Sequence, residues 1–76
     1  MIKIDYLINE RKAKNITQYE LAKVLGYKER NGYWRIEKGY TRLTLEDFFI
    51  ICQKLDLEPS KAISEIERSN RNDIRK

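Results

Sequence analysis

A chain of 76 residues, 41% hydrophobic and 37% charged, has room for one small soluble domain with a thin core and for no second domain. One cysteine and no histidine exclude an internal disulfide and argue against a cysteine–histidine zinc site, and the longest apolar run, Phe48 to Cys52, is far too short to cross a bilayer. The net charge of +4 is unevenly spread: residues 17–43 hold six basic and three acidic groups, whereas residues 44–67 hold two basic and six acidic, so the first of these sections is the one suited to an anionic partner.

Charge arrives at Lys3 and Asp5, too early for a secretory leader. A reduced cytoplasmic setting is therefore expected, and Asn15-Ile16-Thr17 reads as a chance match to a glycosylation acceptor. The first helix is expected over residues 3 to about 14. Ile4, Leu7 and Ile8 share one face, and Arg11 lies one turn further along the same stripe. Lys12 and Lys14 stand near its C-terminus, where cations offset the helix dipole. Asn15 and Ile16 form the connection, with Ile16 as a hydrophobic staple before the next cap.

Helix two is expected over 18–25. Thr17 and Glu20 have the spacing of a capping box. Leu21, Ala22, Val24 and Leu25 supply an apolar face, and Gly26 falls where a left-handed residue stops a helix. The segment Tyr27 to Tyr33 is less regular, because Gly32 inside a helix costs roughly 1 kcal/mol relative to alanine. Helix three is expected to begin near Glu29 or Arg30 and to run to Lys38, with Gly39 as its stop and Tyr33, Ile36 and Trp34 on its buried side. A basic polar loop follows from Lys38 to Leu43.

Thr44 caps helix four, and Glu46 and Asp47 sit in its first turn, where the dipole favours acids. Leu45, Phe48, Phe49, Cys52 and Leu55 are expected to make its core face, with Cys52 a small buried apolar residue and not a reactive thiol. Pro59, after Glu58, suits the first position of helix five, whose inward residues are read as Ala62, Ile63 and Ile66. From Arg68 the pattern ends. The domain is thus placed at residues 1–67, with a frayed basic tail over 68–76.

The expected architecture is all-α, a compact five-helix bundle in which helices two and three make a helix-turn-helix. Thr17-Gln18, Glu20-Leu21-Ala22, Leu25-Gly26, Ile36-Glu37-Lys38-Gly39 and Leu43-Thr44-Leu45, with the junction from Leu55 to Ser60, resemble the Cro/C1-type (XRE) helix-turn-helix family over residues 4 to about 66. The resemblance implies a lambda-repressor-like domain that regulates transcription, as a repressor or controller, by placing helix three in the major groove of double-stranded DNA. It also implies a homodimer on a palindromic operator, with reading helices about 34 Å apart. One departure stands out: Gly26 to Glu37 is eleven steps, one more than the family spacing. The extra residue lies in the turn or at the head of helix three, beside Gly32.

Aligned from the C-terminal side, Arg30, Asn31 and Arg35 match the family's base-reading positions; counted from Gly26, Glu29 and Arg30 head the helix instead. The first register lets Tyr33 and Ile36 fill the buried slots. Arginine pairs in bidentate fashion with guanine, and asparagine with adenine. Gln18, Lys28, Trp34, Lys38, Tyr40, Thr41 and Arg42 flank the helix and suit the phosphate backbone, Gln18 from the positive end of helix two. Tyr27 is open to either stacking or packing. Arg11 and Glu37 match the family's structural ion pair between helix one and the end of helix three.

The dimer surface is expected around Ile50, Ile51 and Ile66, with Ile74 a further candidate. No cofactor, metal, small-molecule ligand or membrane contact is expected. Neither a phosphate-binding glycine loop nor a metal-ligand spacing occurs, and with no histidine an enzyme is disfavoured. The alternative is a protein-binding module on the same fold, an antitoxin or inhibitor, which the extra residue near Gly32 would suit.

Overall fold

The computed structural model describes residues 3–74. Among them it has five helices and no strand: α1 (Asp5–Ala13), α2 (Gln18–Val24), α3 (Arg30–Glu37), α4 (Leu45–Lys54) and α5 (Pro59–Ile74). The all-α five-helix reading holds, as do the helix-two and helix-three positions to within a residue.

The first four helices end alike. After α2, Gly26 takes φ 93°; its N–H reaches Lys23 O at 3.0 Å, and the next N–H, from Tyr27, reaches Ala22 O at 2.9 Å. This paired closure satisfies carbonyls that a helix end leaves orphaned. Gly39, at φ 83°, repeats it after α3, and Asn15 and Asp56, both at φ 58°, repeat it after α1 and α4. In each case the following residue, Ile16, Tyr27, Tyr40 or Leu57, is bulky and apolar or aromatic. The starts of α2, α4 and α5 are capped by side chains: Thr17 and Glu20 close a full capping box on α2, Thr44 Oγ1 accepts from Asp47 N–H at 3.1 Å, and Glu58 accepts from Ser60 N–H at 2.7 Å ahead of Pro59.

The core takes Ile4 and Leu7 from the first segment, Leu21 and Ala22 from α2, Tyr33 and Ile36 from α3, Phe48, Ile51, Cys52 and Leu55 from α4, and Ala62 from α5. Each large side chain among them contributes about 1.5–3 kcal/mol by leaving water. α2 packs on α3 and α4, and α5 packs on α1 and α4. Lys14 Nζ donates to the Leu55 carbonyl, tying the end of α1 to the end of α4.

Four expected core residues are on the surface: Val24, Leu45, Phe49 and Ile63. The cause in α4 is angular. Residues 45, 48, 49 and 52 share a face at 3.6 residues per turn, but so do 48, 51, 52 and 55, and the apolar run Phe48–Cys52 satisfies both. The helix buries the second set. Ile51 is consequently enclosed in the core with no exposed surface, which removes it from any dimer contact. Ile50 and Ile66 are half-buried, Ile66 against the core; the side chain of Ile74 lies outside the described residues.

The tail expected to fray from Arg68 is helical to Ile74. Asn70 explains part of this: its Oδ1 accepts from Lys3 N–H at 2.9 Å, and its Nδ2 donates to Lys3 O at 3.0 Å. A polar side chain that satisfies both backbone groups of a distant residue leaves no hydrophobic periodicity to detect. Residues 75–76 lie outside the described residues.

Candidate nucleic-acid interface

α3 divides into two faces. Tyr33 and Ile36 are buried, while Arg30, Asn31, Arg35 and Lys38 are exposed and Trp34 is half-exposed. At 3.6 residues per turn these five outward positions fall within about 140° of arc, a single stripe opposite the buried pair. Tyr33 and Ile36 thus go in, and Arg30, Asn31 and Arg35 come out. Glu29, the competing position, is the N-cap of α3 and makes no side-chain cap.

Arg30 stands at the positive end of α3, with no acid in the first turn to offset it. Alone, that placement is unfavourable by about 0.3–1 kcal/mol. The compensation comes from α2. Arg30 Nη1 donates to Gln18 Oε1 at 2.8 Å, Gln18 Nε2 donates to Glu37 Oε1 at 2.8 Å, and Arg11 Nε donates to Glu37 Oε2 at 2.7 Å. Arg11 also donates to Ile16 O at 3.0 Å. The Arg11 and Glu37 side chains are only 10% and 7% exposed, so the expected ion pair is present and largely desolvated.

A relay thus runs Arg11–Glu37–Gln18–Arg30, from α1 through the end of α3 and the start of α2 to the head of α3. Sequence reasoning assigned Gln18 to phosphate and missed that its amide is engaged at both ends. Nothing in the sequence marked this, since an amide one residue after the Thr17 cap is equally at home in water.

The other end of the stripe is aromatic. Trp34 and Tyr40 rings lie 5.7 Å apart, tilted at 58°, and the Arg35 guanidinium sits 5.8 Å from the Tyr40 ring centroid. Such a stack holds a long side chain outward at modest cost. Lys28, Tyr40 and Arg42 are exposed and Thr41 is half-buried, on the two loops flanking α3. Tyr27 is half-buried and packs against the core.

Tyr33 lies under this surface with its hydroxyl completely buried and unpaired. Burial, and then the neighbouring Glu37 charge, push its ionisation far above the usual phenol range, so it stays neutral. Among the described residues no group of histidine, cysteine or acidic side chains is placed to hold a metal, and no helix is long and apolar enough to cross a membrane.

A family model described as helix-turn-helix matches residues 7–62, from within α1 to the first turn of α5. No curated protein and no solved structure matches the chain. With the helix-turn-helix geometry, the Arg11–Glu37 tie and the outward basic stripe in place, the chain belongs to the Cro/C1-type (XRE) helix-turn-helix family of DNA-binding regulators.

Proposed function

We propose that the protein is a sequence-specific transcriptional regulator, of repressor or controller type, that inserts α3 into the major groove of a palindromic operator as a homodimer. The observation that carries this reading is the stripe of Arg30, Asn31 and Arg35, exposed on a helix whose opposite side is locked in the core. Arg30 and Arg35 suit guanine and Asn31 suits adenine, while Lys28, Trp34, Lys38, Tyr40, Thr41 and Arg42 set position through phosphate and sugar, and the Gln18 amide, bonded to Glu37 and Arg30, holds Arg30 in place. Dimerisation is supported by Leu45 and Ile63, large apolar side chains 64% and 48% exposed on α4 and α5, which line one groove with the half-buried Ile66; a contiguous exposed apolar patch marks an interface.

Selection of bound sequences from a random duplex pool tests the reading. A palindromic consensus with half-sites one helical turn apart is expected. Arg35→Ala should cost roughly 1–3 kcal/mol and relax preference at a single base pair, whereas Lys38→Ala should weaken all sequences alike and reduce the salt slope by about one. Binding with almost no salt dependence would overturn the DNA reading and favour a protein partner.

A further inference from the structure

The turn between α2 and α3 meets the head of α3 at one close contact, between Tyr27 and Gly32. Tyr27 closes the end of α2 through its N–H to Ala22 O at 2.9 Å, and its side chain then lies against Gly32 in the first turn of α3. A Cβ added at Gly32 would come within 2.8 Å of Tyr27 Cβ and closer still to the ring, distances that non-bonded carbon atoms do not tolerate. Gly32 is not there for its backbone freedom, since it is helical and none of the left-handed glycines is Gly32. It is there because the space where its side chain would stand is filled by Tyr27. Both residues are partly buried, and Gly32 N–H bonds to Glu29 O at 3.1 Å, so the ring presses on the turn that carries Arg30 and Asn31.

We infer that Tyr27 and Gly32 form a seat that fixes the height and tilt of the head of α3, which makes Tyr27 a positioning residue for base preference. The inference rests on the DNA-reading role proposed above. The ring works as a spacer between the end of α2 and the backbone of α3, and Arg30 and Asn31 inherit their reach from it. Arg35, more than a turn away and held by Tyr40, does not.

Four variants test this: Tyr27→Phe, Tyr27→Ala, Gly32→Ala and the Tyr27→Ala/Gly32→Ala double variant. Thermal melts and duplex selection are run on each. Tyr27→Phe keeps the spacer and should keep the wild-type consensus. Tyr27→Ala should lower the ratio of specific to non-specific affinity about tenfold, with the change confined to the base pairs read by Arg30 and Asn31. Gly32→Ala should lower the melting temperature in the wild-type background and not in the Tyr27→Ala background, because the room for a Cβ then exists. Should Gly32→Ala fail to fold, Tyr27→Ala against Tyr27→Phe carries the comparison alone.

A Tyr27→Ala protein that melts lower yet keeps the consensus and the affinity ratio overturns the positioning role, leaving plain packing. A wild-type protein that selects no sequence overturns the proposed function itself and the positioning role with it. The two failures are therefore distinguishable.

Discussion

The Tyr33 hydroxyl is the one buried side-chain polar atom without a hydrogen-bond partner among the described residues. Leaving such a group unsatisfied costs about 1–3 kcal/mol, while the ring itself is among the largest fully buried side chains. Tyr33→Phe retains the ring and removes the penalty. It should leave the protein as stable or raise stability by about 1 kcal/mol, some 4–8 °C for a domain of this size. A loss of that magnitude in a calorimetric melt would mean that the hydroxyl is bonded to the nearby Glu37 carboxylate. The same neighbourhood explains what could be read beforehand. Arg11 on an otherwise apolar stripe demanded a partner, and Glu37 beside Ile36 offered one. Gln18 sent no such signal, because an amide near a helix start is equally at home in water.

Within the elements, the capping box of α2 is sensitive to acid. The Thr17 backbone N–H, and then its hydroxyl, hold the Glu20 carboxyl below its ordinary 4.5. A lowered folded-state value contributes stability above pH 4.5 that is lost as pH falls through that lower value. Glutamine can complete the same box without titrating. The stability gap between wild type and Glu20→Gln at pH 7 should therefore narrow toward pH 3 in denaturant titrations; a gap constant with pH would remove Glu20 as a source of acid sensitivity. Helix stops were legible where glycine marked them, at Gly26 and Gly39. At Asn15 the end was placed by the connection that follows, and at Asp56 nothing marked it; both take a left-handed φ of 58°, which asparagine and aspartate adopt only occasionally. The facing of α4 was ambiguous for a related reason. Five consecutive apolar residues wrap past a full turn, and only packing against α2 and α5 decides that Ile51 turns in and Phe49 out.

Across the whole molecule, the Arg11–Glu37 pair joins the first helix to the third at 2.7 Å with both side chains nearly dry. Glu37→Gln would leave Arg11 desolvated and without its counter-charge, a loss of about 3–5 kcal/mol. For a domain of 76 residues that is a drop of well over about 10 °C; an unchanged melting temperature would show that water reaches the pair. The carboxylate of Glu37 also anchors the Gln18 amide, and that amide anchors Arg30. If α3 reads an operator as proposed, base preference is then subject to mutation from the back of the molecule. On that proposal, a change at Arg11 would unfasten the head of α3 three links away, and searches for altered base preference should return first-helix variants beside those at Arg30 and Arg35.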